Sequence, residues 1–195
     1  MKKIVQLSKV FIAWLASFII AILTLFSLTF GNKRKASKFW LHAWSRFMLK
    51  ILGVKYVVSG KENLKGPVIL TMNHQSILDI FLLPAISSGI ATFLAKKEVS
   101  KVPLISWVMK TCGCIFVDRK NTERAIKSIQ EGLKNLPENC SILMFPEGTR
   151  SRNFKLLPIK KGIVHIAIQS RLPIITVGQY GMKKIGGGSN NLFFE

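Results

Sequence analysis

Two short stretches of this sequence gather residue types that can move a proton and hold an anion. The first is Asn73-His74-Gln75-Ser76-Ile77-Leu78-Asp79, where an apolar run ending at Thr71 delivers a histidine and a carboxylate five residues apart. An imidazole beside a carboxylate can take a proton while the carboxylate fixes its tautomer and stabilises the imidazolium. On a continuous helix a separation of five turns the two side chains about 140° apart, so the pair meets only if His74 precedes a helix and Asp79 lies in its first turn. Ser76 can start that helix as its N-cap, with Asp79 completing a capping box. Asp79 as a simple cap is the competing reading, and the two are compatible, because the cap fixes the turn that presents His74. There is no GxSxG and no cysteine near His74 in sequence, so an attacking substrate hydroxyl fits at least as well as a covalent serine.

The second stretch is Phe145-Pro146-Glu147-Gly148-Thr149-Arg150-Ser151-Arg152, again at the end of an apolar run. Gly148 permits an unusual backbone turn, Thr149 and Ser151 offer hydroxyls, and Arg150 offers a two-pronged fork for phosphate. Glu147 can hold the arginine in place or bind a substrate hydroxyl, and a solvated turn is the bland alternative for the whole loop. A third stretch, residues 113–119, ends in Asp118 and Arg119; taken alone, Asp118 reads as a neighbour or cap of the following helix and Arg119 as surface.

The charge balance narrows the ligand. The 195 residues carry 29 Lys+Arg against 9 Asp+Glu, a formal charge of +20, while 49% of the chain is hydrophobic and its mean hydropathy is +0.32. A disordered basic tail would lack this apolar content, and a nucleic-acid binder is usually polar throughout. Eleven Lys/Arg and no acid lie in residues 1–61, and eight more, again without an acid, in residues 150–184. Phosphate-bearing partners are the natural counterpart of such fields, whether nucleic acid, an anionic membrane or a phosphorylated small molecule. Cys112, Cys114 and Cys140 are odd in number and sit in apolar surroundings, which argues against a disulfide framework and for a reducing compartment. The histidines His42, His74 and His165 show no metal-ligand spacing, so neither a metal nor another cofactor is expected.

The elements that must position these residues divide in two. Residues 10–30 form a run of 21 without a charge, about 31 Å as a helix and long enough to span a bilayer. No small-x-small site follows it before the basic cluster, so a cleaved signal peptide is not expected. Lys2, Lys3 and Lys9 precede the run, while Lys33, Arg34, Lys35 and Lys38 follow it, which leaves the positive-inside bias nearly balanced. Residues 39–52 mix aromatic and aliphatic side chains with His42, Arg46 and Lys50, the pattern of an amphipathic helix lying in the interface; a core-facing helix with a solvated basic side is the alternative. Beyond Gly53 the pattern alternates. Residues 56–58, 68–71, 92–95, 114–117, 142–145 and 174–177 read as buried strands, and residues 122–136 as a helix capped by Asn121 or Thr122 and stopped by Pro137. The expectation is one α/β layered domain over residues 53–185, a mixed sheet flanked by helices, with a membrane-anchoring helical segment at 1–52 and a flexible tail at 186–195.

The order Asn73-His74-Gln75-Ser76-x-x-Asp79, then Gly113 to Arg119, then Phe145 to Ser151, then Leu172-Pro173-Ile174-Ile175-x-Val177 resembles the four blocks of the glycerolipid acyltransferases. Within that family the chain looks most like the bacterial 1-acyl-glycerol-3-phosphate acyltransferases, whose third block typically reads FPEGTRS. The resemblance covers roughly residues 53–177. It implies that His74 is the general base for the free sn-2 hydroxyl of a lysophosphatidic acid and that Asp79 orients it. The acceptor would then attack an acyl thioester, acyl-CoA or acyl carrier protein, to give phosphatidic acid. It further implies that Arg119, Glu147, Gly148, Thr149 and Arg150 bind the glycerol-phosphate head, and that Pro173 lies in a block tied to donor binding. Two departures stand out: Thr176 replaces a second proline of the fourth block, and about eighteen residues follow Val177 where relatives commonly carry further elements, so a reduced C-terminal part is expected.

The partners so implied are the thioester, the lysolipid and anionic membrane lipids, with no nucleic acid. The implied location is the cytoplasmic or cell inner membrane, with the catalytic domain on its cytoplasmic face. A related enzyme using another lysolipid or glycerol-3-phosphate is the nearest alternative, and a non-catalytic basic membrane-surface protein the remote one.

Overall fold

In a computed structural model, which describes residues 2–119, 121–151, 153 and 155–181, the chain opens with two long helices. Helix α1 (Lys2–Phe30) and α2 (Lys33–Ile51) form a hairpin. The turn is set by Asn32, whose side chain accepts from the Lys35 amide and so caps α2. Within α1, Phe11–Phe30 is long and apolar enough to cross a membrane, with mean hydropathy 2.4 and 17% of that stretch buried. Phe11, Trp14, Phe18 and Phe26 stand exposed. The other side of α1 faces α2, where Trp40 and Trp44 donate from their indole N–H groups to the Ser27 and Ser17 hydroxyls, each over 3.0 Å.

Helix α2 departs from the purely interfacial reading. It starts earlier than residue 39 and buries Met48 and Leu49 in the core, while Trp44 packs edge-on against Phe81 at a centroid distance of 4.9 Å. Phe39 and Phe47 remain exposed. The aromatic residues therefore divide between the core and the outside, because only one side of α2 meets the α/β domain.

That domain holds β1 (Ile69–Met72), α3 (Asp79–Ile86), β2 (Ile90–Lys96), α4 (Ile105–Thr111), β3 (Ile115–Val117), α5 (Thr122–Lys134), β4 (Cys140–Met144), α6 (Gly162–Ser170) and β5 (Ile174–Val177). The sheet order is β3-β2-β4-β1-β5, and every pairing is parallel. The expected mixed sheet is thus corrected to a parallel one among the described residues. Each of β1 to β4 is followed by a helical crossover, which returns the chain to start the next strand in the same direction. Alternation along the strands supplies two cores. Leu70, Met72 and Leu143 face α2 and α3. Ile69, Ile142 and Met144 face Ile129 of α5 and Ile166 of α6.

Two further readings are corrected. Residues 56–58 form no strand: Val57 is 95% exposed, and β4 and β5 already flank β1 on both sides. Strand β5 lies at the sheet edge and is not fully buried, with Ile174 exposed. Thr176 of β5 pairs with Thr71 and meets its hydroxyl at 3.2 Å. Helix α5 starts as expected, the Asn121 side chain accepting from the Arg124 amide at 3.0 Å. The tail expected at residues 186–195 lies outside the described residues.

The sheet order decides where a site can form. Strand β1 connects through α3 to β2, past β4; strand β4 connects through α6 to β5, past β1. The chain leaves these two neighbouring strands in opposite directions along the sheet and over opposite faces. Such a switch point opens a crevice at the carboxyl ends of the strands. Both motif loops begin there.

Candidate active site

His74 follows β1 by two residues, and Asp79 is the first residue of α3. The turn between them begins at Ser76, whose hydroxyl accepts from the Leu78 amide at 3.2 Å. The helix proper starts at Asp79, with Leu78 and not Ser76 in the capping position. Oδ2 of Asp79 accepts from the amides of Gln75 (2.7 Å) and Ser76 (2.8 Å) and pairs with Nδ1 of His74 at 3.0 Å. The same carboxylate oxygen therefore ties the turn and holds the ring. Because a carboxylate only accepts, Nδ1 donates in this pair and Nε2 is left as the acceptor. Asp79 is fully buried, whereas 14% of the His74 side chain is exposed. The face of the imidazole stacks on Phe145, with centroids 4.0 Å apart and planes 12° from parallel.

A cavity of about 500 Å3 opens beside this ring. At one end it is lined by His74, Arg119, Gly148, Thr149, Arg150 and Lys96. Away from them its wall is mainly apolar: Ile20 and Ala21 of α1, Trp40, Leu41 and Trp44 of α2, Phe93 of β2, and Ile105, Val108 and Met109 of α4. Arg119 reaches from the end of β3 and donates through Nη1 to the Gly148 carbonyl oxygen. Burial lowers its guanidinium from the ordinary arginine range, with Glu98 acting in the opposite sense. Asp118 points elsewhere and pairs with Lys97 at 3.2 Å. Gly148 has a φ of +72°, a left-handed conformation that costs any L side chain. This turn swings Thr149 and Arg150 outward, and both are exposed.

Of the residues given catalytic or binding roles from sequence, five line the cavity: His74, Arg119, Gly148, Thr149 and Arg150. Asp79 stands behind the histidine. Glu147 is drawn in elsewhere; it is 1% exposed and faces the β1 loop, its two oxygens accepting from the amides of His74 (2.6 Å) and Leu157 (2.8 Å). The sequence reading missed the apolar wall and Lys96. The wall comes from three helices and a strand, each apolar for its own reasons, so no single periodic pattern marks it. None of the three cysteines forms a disulfide; Cys140 is buried, whereas Cys112 and Cys114 are half-buried and line the cavity, and burial pushes the thiols of Cys114 and Cys140 up to about 12. Among the described residues no group of His, Cys, Asp or Glu could hold a metal ion.

A family model described as Acyltransferase matches residues 55–179, well over half of the chain. The chain belongs to the acyltransferase family. Similar members include the 1-acyl-sn-glycerol-3-phosphate acyltransferase of Saccharomyces cerevisiae, 40% identical over 151 residues, covering 75% of this chain and 50% of that protein. The enzyme of the same name from Limnanthes douglasii is 39% identical, over 69% of this chain and 48% of its own length. This acyltransferase-family chain thus spans about half the length of the curated relatives it matches. Its fold is similar to the crystal structure of the 1-acyl-sn-glycerophosphate (LPA) acyltransferase PlsC from Thermotoga maritima. The TM-score is 0.71 at 30% identity, covering 89% of this chain and 73% of that one.

Proposed function

We propose that this protein transfers a fatty acyl group from a thioester to the sn-2 hydroxyl of lysophosphatidic acid, giving phosphatidic acid. One observation carries the reading. A histidine with its Nδ1 taken by a buried carboxylate presents the other nitrogen to a cavity that is cationic at one end and mainly apolar elsewhere. A lysolipid has this shape of polarity, a phosphate head and an apolar chain with a hydroxyl between, and an acyl thioester adds a second chain. The names and similarity of the relatives support the same acceptor.

In the proposed reaction Nε2 of His74 takes the hydroxyl proton as the acceptor oxygen attacks the thioester carbonyl carbon. Asp79 fixes the tautomer and stabilises the imidazolium that forms. The tetrahedral intermediate collapses, the carbon–sulfur bond breaks, and the departing thiolate takes the proton back from the imidazolium. Ester and free thiol leave, and the histidine is restored. Arg119 and Arg150 receive the phosphate, Arg119 already oriented by the Gly148 carbonyl. The rotamer entropy and partial desolvation of these cations are offset by charge-assisted hydrogen bonds that a neutral head could not make.

The donor is acyl-CoA or acyl carrier protein. The α1 helix sits in the cytoplasmic membrane, and the basic surface lies against anionic lipids on the cytoplasmic side. The exposed apolar surface of Phe11–Phe30 supports that placement, since water would not favour it. Free thiol released from acyl-CoA in detergent, with and without lysophosphatidic acid, tests the reaction. Acceptor-dependent release that disappears in a folded His74→Ala variant is expected. Undiminished release in that variant overturns the mechanism, and equal use of an acceptor without phosphate overturns the assignment of the cationic end.

A further inference from the structure

We infer that Glu147 is a positioning residue for His74 and not a ligand of the acceptor, so that residues 145–151 divide by position between a clamp on the histidine and a rim on the cavity. The inference rests on the acyl-transfer reading only for its kinetic consequences.

The β1–β4 register pairs Ile69 with Ile142, Leu70 with Leu143 and Thr71 with Met144. Carried three residues further, the same offset sets His74 opposite Glu147. The backbone ladder has ended by then, its last pair being Thr71 and Met144. The His74 amide still needs an acceptor in a place largely closed to water. Oε1 of Glu147 supplies it at 2.6 Å, standing where a strand carbonyl would have been. Oε2 accepts from the Leu157 amide at 2.8 Å, which fastens the returning loop to the same carboxylate. The other backbone polar group of His74 is held too: the Ser151 amide donates to the His74 carbonyl oxygen at 2.8 Å.

His74 is thus fixed by its N–H, its C=O, its Nδ1 and one ring face. Three of those four restraints come from Phe145, Glu147 and Ser151. Phe145, which also stacks on the ring, and the intervening Gly148, Thr149 and Arg150 line the cavity, and Glu147 does not. A carboxylate suits the clamp because both oxygens accept; a glutamine in its place would turn one N–H of its own against an amide donor. A ring displaced by a fraction of an ångström costs turnover, whereas acceptor binding is left to other side chains.

The full chain in detergent is assayed with lysophosphatidic acid and acyl-CoA. Glu147→Gln is expected to lower kcat about tenfold or more, with KM for lysophosphatidic acid held within about twofold. A large rise in KM with kcat retained, or no change in either, overturns the inference. A second measurement needs neither a variant nor turnover. In the isotope-labelled wild-type chain, the His74 amide proton is expected far downfield and slow to exchange, as a short bond to a carboxylate requires. An ordinary, rapidly exchanging His74 amide overturns the clamp. A wild-type chain that released no thiol would defeat the acyl-transfer reading and leave this measurement standing.

Discussion

His74 and Arg150 face one cavity from neighbouring strand ends, yet the structure treats them differently. The histidine is gripped on four sides, and the carboxylates that serve it, Asp79 and Glu147, are almost wholly buried. Arg150 and Thr149, a few residues further along, are exposed on a turn that Gly148 makes possible. The difference matches two tasks. A base must sit at a defined distance from the proton it takes, so freedom there is lost rate. A cation that receives a phosphate needs to reach it through charge-assisted hydrogen bonds, and an exposed place on the rim leaves it accessible to the incoming head.

The largest effects should come from the gripped side. His74→Ala is expected to lower kcat by about a thousandfold or more, and Asp79→Asn by about a hundredfold or more, because the amide offers a donor where Nδ1 donates. Steady-state thiol release with circular dichroism to verify folding checks both. A mild effect of Asp79→Asn would mean that Asp79 serves the turn alone. On the exposed side, Arg150→Ala should raise KM for lysophosphatidic acid about tenfold with a smaller change in kcat. If kcat fell as far as KM rose, the contrast between the two sides would dissolve.

Two smaller effects concern the scaffold. A Cβ at Gly132 on α5 would fall 2.5 Å from the Ile115 side chain of β3. Gly132→Ala should therefore destabilise the fold by about 1–3 kcal/mol through overpacking, read from urea unfolding, with KM unchanged. The cysteines set an alkaline limit. Thiols held up to about 12 in the folded chain, against 9.0 ordinarily, stay protonated there while the unfolded chain loses its protons. The unfolded state binds fewer protons above pH 9, so stability contributed by these groups is present below that pH and is lost as pH climbs toward 12. Melting temperature should fall across that window, and Cys114→Ser with Cys140→Ala should flatten the fall.

Much of the arrangement is legible in the amino-acid sequence. Strand β5 fell on the residues expected, the four other strands began and ended within two residues of their expected bounds, and α5 began at its Asn121 cap. The junction that presents His74 beside Asp79 also formed, since it needs only a strand, a tight turn and a helix start within a few residues. The misreadings have a common origin. Residues 56–58 carry a good strand pattern, but whether a strand forms depends on where the chain meets the sheet, and β1 is already paired on both sides. The aromatic residues of α2 carry an interfacial pattern, but Trp44 met Phe81 of α3. Glu147 was read by its company, a glycine and arginines, and its side chain turned the other way to serve an amide 73 positions earlier.

What the sequence determined by itself was local: the apolar stretch of α1, the alternation that makes an α/β chain, the cap of α5, and the spacing that seats a histidine beside a carboxylate. Periodicity and short-range hydrogen bonding act over a few residues, so they can be read along the chain. Tertiary structure decided that the sheet is parallel, that β1 and β4 lie side by side, that α1, α2 and α4 together wall a cavity, and that one buried carboxylate completes the ladder beneath the histidine. Those outcomes join residues far apart in sequence, and each depends on how the surfaces of separate elements fit together, which no local pattern records.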